Sequence, residues 1–478
     1  MGCRVIGILA TFASNILAAR LLGPAEFGVY LFLSSVAGAG SLIGSAGLSN
    51  ASLRFSSESL ALGRRSLAVA YVYRTTTLCV VTTVLAGGLT AAGLFAFHLA
   101  TGRLSDPALL VVLTVLMLAA LAGQQLAGET LRGWNNLKLA SLFSGGVTGG
   151  PVSNVLFSAG IIGLLMLHVS MTAAGVLGLL AASVWLTVPF ALWSVWRMIH
   201  RDPAHSSEPR VALTSVEDRQ MLAMAVTVFM LHLLTFVVNQ LDIWIGEALL
   251  PPNELGVYGV AKRCMLLAAM PVQMAMLTIA GTIPRLHAQG RRRELQDLMR
   301  GSAGVAAVPA LAALSLLVLS PGFVVDLLFG SSYSGAATSI RILAVGHLVL
   351  VAAGNPFAML SLNGRHNTVL PVSLVAVGFL AVAGPLAAFW YGASGLAWVS
   401  TGALVIQSAL LWWLAYLRSG IWTHMGLPRR HAAGDPPIEA QTAATFVEPA
   451  RTTTARTRPC EPMTVEVGAD FSNDPEDL

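Results

Sequence analysis

The sequence predicts an all-α polytopic membrane protein, with about 12 transmembrane helices in two parallel-repeat six-helix lobes around a central cleft. Three observations predict it: an apolar composition, a long-range internal repeat, and loop charges that alternate from one connection to the next. Hydrophobic residues make up 55% of the 478 and charged residues 11%, with a mean hydropathy of +0.72. That leaves too little polar surface to cover a water-exposed globule. The net charge of +5 reads as membrane topology, since no basic stripe marks a soluble nucleic-acid-binding domain.

The repeat sets the architecture. Leu22-Gly-Pro-Ala-Glu-Phe-Gly-Val-Tyr30 returns as Leu250-Pro-Pro-Asn-Glu-Leu-Gly-Val-Tyr258, six of nine positions identical at a shift of 228. The same shift lays Arg64, Arg65 and Leu67 on Arg292, Arg293 and Leu295. One bundle copied and fused accounts for this, an organisation common among membrane transporters. Within each corner the proline and glycine break the first helix, and Glu26 or Glu254 caps the helix that follows. Pro24, Glu26, Gly28, Pro252, Glu254 and Gly256 are therefore expected to be structural.

Twelve apolar runs are long enough to cross a hydrocarbon core of about 30 Å. In the first half they cover about 5–22, 29–48, 76–99, 108–127, 142–167 and 173–196; in the second, about 221–245, 257–283, 305–328, 342–362, 369–390 and 395–417. The third and seventh are long enough to tilt or kink. The first imitates a signal peptide, but it runs straight into the repeated corner and reads as a retained helix. Arg54, Arg64, Arg65 and Arg74 follow the second run, Arg132 and Lys138 the fourth, and Arg197, Arg201, Arg210 and Arg219 the sixth. Arg285, Arg291, Arg292, Arg293 and Arg300 follow the eighth, Arg365 the tenth, and Arg418, Arg429 and Arg430 the twelfth. Alternate connections are poor in cations, apart from Arg103 and Arg341, so both termini are expected in the cytoplasm. An even number of spans per half makes the copies parallel, related by an axis along the membrane normal.

Residues 1–196 are thus expected to form the first lobe, 197–220 a cytoplasmic linker, 221–420 the second lobe and 421–478 a disordered cytoplasmic tail. Phe389-Trp-Tyr391 and Trp412-Trp413 with Tyr416 suit interfacial belts. The four cysteines are scattered, and two lie in apolar runs, where a thiol behaves as a small hydrophobe. No hydrolase, metal-ligand or phosphate-loop motif is present, so neither a cofactor nor a metal is called for.

Function inside a bilayer is sought in intramembrane charge. Lys262 and Arg263 lie one turn past Tyr258 in the eighth run; adjacent positions point about 100° apart, so at least one can face a cleft and hold an anion. Snorkelling to the nearby helix end is the competing account. Arg20 ends the first run, where interfacial placement competes with a ligand contact. Arg341 begins the tenth run, at a cavity mouth or an interface. Arg54 sits at the cytoplasmic end of the second, where a contact to a phosphate arriving from that side competes with the positive-inside rule, the stronger account. Asp242 is a candidate for ion coupling or for pairing with Lys262 or Arg263; the alternative is a solvated carboxylate near a loop. Arg64, Arg65 and Arg291 to Arg293 also suit anionic headgroups of the surrounding lipid.

The corners carry a family resemblance as well. Ala19-Arg-Leu-Leu-Gly-Pro-Ala-Glu-Phe-Gly-Val-Tyr30 resembles the first-helix signature of Wzx-type polysaccharide-biosynthesis flippases. These belong to the multidrug/oligosaccharidyl-lipid/polysaccharide (MOP) exporter superfamily. Glu254-Leu-Gly-Val-Tyr-Gly-Val-Ala-Lys-Arg263, Leu328-Phe-Gly-Ser-Ser-Tyr-Ser-Gly-Ala336, Arg341-Ile-Leu and Leu362-Asn-Gly-Arg365 fit the same pattern, so that the likeness covers about residues 5 to 417. It implies a transporter of the bacterial inner membrane, without enzymatic activity. The cargo would be a lipid-diphosphate-linked oligosaccharide flipped from the cytoplasmic to the outer leaflet by alternating access. Its working partners would be a polysaccharide polymerase and glycosyltransferases, and Arg20, Lys262 and Arg263 would contact the headgroup. Family members carry a longer amphipathic lead than Met1-Gly-Cys-Arg4 supplies. Two readings compete with this one: a cation-coupled small-molecule or multidrug exporter of the same superfamily using Asp242, and a membrane polymerase or ligase, which needs a large outer loop.

Overall fold

The computed structural model describes residues 2–143, 145, 149–200 and 213–426, and all the regular structure among them is helical. The first half holds α1 (Gly2–Ser45), α2 (Leu48–Ala61), α3 (Arg65–Thr101), α4 (Pro107–Gly133), α5 (Leu137–Phe143), α6 (Pro151–Met166) and α7 (Ala173–His200). The second holds α8 (Ser215–Leu249), α9 (Pro252–Ile279), α10 (Thr282–Ala288), α11 (Arg292–Leu319), α12 (Pro321–Leu328), α13 (Ala336–Ala353), α14 (Pro356–Leu362) and α15 (His366–Ser419), with a single 3-10 turn at Ser331–Tyr333. Nine helices among the described residues are long and apolar enough to cross a membrane, and α6 is a shorter apolar helix.

Local chemistry explains where the helices start and stop. Proline opens α4, α6, α9, α12 and α14, where its missing N–H costs nothing. Thr214 and Glu217 form a reciprocal capping box at the start of α8. Of the two ways open to the long third and seventh runs, tilting or kinking, no kink is found: α3 and α8 are continuous. The breaks fall instead at Gly23 in α1 (φ 73°) and Gly392 in α15 (φ 58°). A left-handed φ is cheap only for glycine, so each of these helices folds back at that point as two antiparallel arms.

The connections rich in arginine gather at one end of the bundle, called here the basic end; the two kinks lie at the far end. At the far end both halves share one apolar core. Phe27, Tyr30, Leu33 and Phe157 from the first half are buried with Leu255, Tyr258, Leu317 and Tyr333 from the second. At the basic end the cores are separate clusters, one around Leu131 and Phe143, and another around Ile283, Leu295 and Met359. The start of α8 is an exception. Met221 and Ala225 pack with Leu48, Tyr71 and Cys79 of the first half, and Arg74 pairs bidentately with Asp218 at 2.7 and 2.9 Å. The halves are therefore joined at the far end and parted at the basic end, with α8 crossing from one to the other.

One expectation for the carboxyl end is corrected. Residues 421–426, assigned to a disordered tail, form an extended strap packed on the second half. Ile421 and Thr423 are buried. Trp422 N–H donates to Gln296 Oε1 at 3.2 Å, Thr423 Oγ1 to the Ala353 carbonyl at 3.0 Å, and Met425 N–H to the Ala352 carbonyl at 3.1 Å. Trp412 and Tyr416, expected in an interfacial belt, are partly covered by this strap, the Tyr416 and Trp422 rings stacking 3.9 Å apart. Phe389, Trp390 and Tyr391 are exposed at the far end, as belts require. Residues 427–478, and 201–212 of the expected linker, lie outside the described residues.

Candidate functional site

The repeated corners join elements rather than bind a ligand, but they do not cap the helix that they open. Glu26 accepts a hydrogen bond from the Ala173 N–H at 2.6 Å, the first residue of α7. Glu254 accepts one from the Ala393 N–H at 3.3 Å, just past the kink of α15. Each glutamate thus caps the last arm of its own half, where the exposed N–H groups favour a negative charge. The duplication is visible in three dimensions.

The corner glycines face each other across the two halves. A Cβ on Gly28 would lie 3.1 Å from the backbone nitrogen of Gly256, and one on Gly256 would overlap the carbonyl oxygen of Pro24. Only glycine allows such an approach of α1 and α9, and small residues do this work in membranes. Further far-end contacts bind the halves. Tyr333 Oη donates to the Ala19 carbonyl at 2.8 Å, and Trp244 Nε1 to Ser35 Oγ at 2.7 Å.

Arg20 belongs to the same contact. Its Nε donates to the Leu328 carbonyl at 2.8 Å and its Nη2 to that of Leu327, satisfying orphan carbonyls at the end of α12. Arg103, an exception in the loop-charge pattern, does the same for the end of α8 through the carbonyls of Glu247 and Leu250. Arg341 reaches the Val318 carbonyl at 3.5 Å and is exposed. Arg54 pairs with Glu58 at 2.7 Å on the exposed face of α2. None of these four adjoins Lys262 and Arg263 in the contacts made.

Between the far-end core and the basic end, α8, α9 and α15 assemble a buried polar cluster. Asp242 is 2% exposed, so it is no solvated loop carboxylate. Its Oδ1 accepts from the Ile243 N–H at 2.9 Å and from the Lys262 ammonium; its Oδ2 accepts from the hydroxyls of Tyr258 and Ser400, the latter at 3.1 Å. Lys262 also donates to the Asn239 carbonyl. The lysine is thus paired rather than snorkelling.

Arg263 has the opposite character. It is partly buried one residue further along α9, on another sector of the helix, and it makes no hydrogen bond or ion pair with a described residue. Tyr30 and Asp242 are within its electrostatic reach. Of the adjacent cations, one is ion-paired within the second half and the other has no hydrogen-bond or ion-pair partner among the described residues. Charge patterning found Lys262, Arg263 and Asp242. Tyr258 was legible only as a repeat residue, and Ser400 and Asn239 carried no signal among many apolar neighbours.

A family model described as polysaccharide biosynthesis protein matches residues 2–288, more than half of the chain. Among solved structures, an inward-facing multidrug resistance MATE family transporter of the MOP superfamily superposes with a TM-score of 0.67 at 17% identity, covering 86% of this chain and 94% of its own. The lipid II flippase MurJ in an inward closed conformation gives 0.62 at 11% identity, with 86% of each chain covered. An outward-facing MATE family transporter gives 0.57 at 16% identity, with 87% and 93% covered. No curated protein matches the chain. With the fold of the MOP superfamily and a family match across most of its helices, the chain belongs to the polysaccharide biosynthesis protein family.

Proposed function

We propose that this protein flips a lipid-diphosphate-linked oligosaccharide from the cytoplasmic to the outer leaflet of the bacterial inner membrane by alternating access, serving surface polysaccharide synthesis. The observation that carries the reading is Arg263, a partly buried guanidinium with no hydrogen-bonded or ion-paired anion among the described residues. A desolvated cation without a partner is expensive, and a diphosphate supplies the charge-assisted, bidentate partner that it lacks. Family membership supports the substrate class, and the fold likeness to a lipid II flippase supports the mode of action. With the basic end assigned to the cytoplasm, the separated cores at that end suit a cleft open to a substrate made there.

In this reading both termini are cytoplasmic, and six-helix lobes of parallel topology move against each other. Arg20 and Arg103 act at the periplasmic closure. The connections at the far end are short, the longest being 329–335 between α12 and α13, which favours transport over a polymerase with a large outer loop. The small-molecule exporter reading needs Asp242 free to take up ions, yet its carboxylate is held by four donors.

The test is a deletion strain complemented with variants. Deletion is expected to accumulate cytoplasm-facing lipid-linked repeat units and to abolish the surface polymer, with Arg263→Ala restoring neither. Normal polymer in the deletion strain, with no paralogue expressed, would sink the reading. Drug efflux that disappears in Asp242→Asn while polymer export persists would favour the exporter instead.

A further inference from the structure

We infer that Lys262 is a tethered counter-ion: its ammonium fills the cation position of a carboxylate site built around Asp242, so that this site takes up no ion from solution as the halves move. The inference stands apart from the identity of the cargo.

Geometry comes first. Each oxygen of Asp242 already receives two donors: Ile243 N–H and Lys262 on Oδ1, Tyr258 and Ser400 on Oδ2. An ionised carboxylate offers about four acceptor positions, so the set is complete. Three of the donors are neutral, and only Lys262 cancels the charge. Without it, a carboxylate buried to this degree must acquire a proton or a metal cation.

Access points the same way. The Lys262 side chain is 26% exposed and that of Asp242 only 3%. The ammonium therefore stands between water and the carboxylate, and an ion arriving from solution finds its place taken. Because the lysine is covalently held and its second bond goes to Asn239, it does not exchange.

The duplication supplies an independent observation. At the shift of 228, Asp242 corresponds to Ser14 and Lys262 to Ser34. Acid and base are present together in one half and absent together in the other, as expected of a self-contained pair. Every donor comes from α8, α9 or α15, all in the second half, so relative movement of the halves does not pull the pair apart. The other titratable groups facing it are Arg263 on α9, within reach of Asp242, and His347 on α13, within reach of Lys262.

Thermal unfolding of the purified full-length protein tests this in sodium, methylammonium and choline chloride at equal ionic strength. Wild type is expected to show one Tm in all three salts. Lys262→Ala is expected to lose several degrees in choline and to regain at least half of the loss in sodium or methylammonium, or on acidification, as a small cation or a proton enters the vacated place. The double variant Asp242→Asn/Lys262→Ala is expected to be indifferent to all of these. A wild-type Tm that rises with sodium and ceases to do so in the double variant overturns the inference. So does a folded Lys262→Ala that is indifferent to salt and pH. Should Lys262→Ala not fold, the wild-type comparison still decides, since a salt-independent wild type with a folded double variant upholds the inference.

Discussion

Two adjacent residues of α9 divide the charge chemistry between them, and the division predicts different phenotypes. Lys262 is bound into the cluster around Asp242, whereas Arg263 has no partner among the described residues. Removing Arg263 should leave the fold intact, because it deletes a desolvated charge rather than half of a pair. If it binds a phosphate, a charge-assisted contact of about 1.5–3 kcal/mol disappears, or roughly 10- to 100-fold in affinity. Arg263→Ala is expected to cut surface polymer accordingly at unchanged protein level, and Arg263→Lys to retain part of it, since lysine keeps the charge but not the fork. Equal polymer yield from both variants and wild type would remove Arg263 from the transport path. The corner glutamates predict stability effects instead. Glu254→Gln keeps an acceptor but loses the charge at the start of the last arm, and is expected to cost on the order of 0.3–1 kcal/mol in unfolding measurements. The sequence exposed these residues because charge is rare in this chain. It did not show which cation is paired, since a step of one residue turns the side chain about 100° and only the facing helices decide what it meets.

Helices were the easiest elements to read, and their ends the hardest. All twelve apolar runs lie on helices over most of their described residues, but the kinks lie at Gly23 and Gly392 rather than within the long third and seventh runs. Length alone does not bend a helix; a residue that tolerates a positive φ does. The strap at 421–426 was invisible because Trp422, Thr423 and His424 have no period of their own and are ordered by α11, α13 and α15. It staples the basic ends of those three helices. A chain ending at residue 420 is therefore expected to unfold several degrees below one ending at 426. Equal Tm values would show the strap to be unimportant for stability. His424 lends the staple a pH dependence. Burial, and then the neighbouring Arg300, hold its imidazole below the ordinary value near 6.5. Above that pH the ring is neutral whether docked or released. As the pH falls below it, the released strap binds a proton that the docked one resists, so docking weakens. Protease sensitivity of the strap should rise on acidification in wild type and stay flat in His424→Gln. Lower sensitivity at acid pH would reverse the assigned sign.

At the scale of the whole molecule, the repeat first indicates only duplication, and the loop charges make the copies parallel. What neither showed is that the repeated motif is where the copies meet. Sequence similarity marks equivalent positions, not contact, and nothing in Pro-x-Glu-x-Gly tells whether the glycine faces its own half or the other. The structure places Gly28 and Gly256 against each other, flanked by Tyr333 on Ala19, Trp244 on Ser35, and two arginines on the carbonyl ends of opposite helices. Lipid supplies no hydrophobic drive for such a contact, which depends on close backbone approach and hydrogen bonds. It is thus the natural place for reversible closure, and it predicts opposite results from two kinds of change. Bulk at the contact, as in Gly256→Leu, cannot be accommodated beside the Pro24 carbonyl and should hold the far end apart. A thiol-reactive probe should then label a cysteine at Ser35 faster than in the unaltered background, and polymer export should fail. A covalent tie that spares the glycines, in Arg20→Cys/Leu328→Cys bridged by a short bifunctional methanethiosulfonate across the same seam, should instead hold it shut: export stops, and reductant restores it. If the cross-linked pair exports at the normal rate, the far-end contact does not open during transport, and alternating access about this seam is wrong.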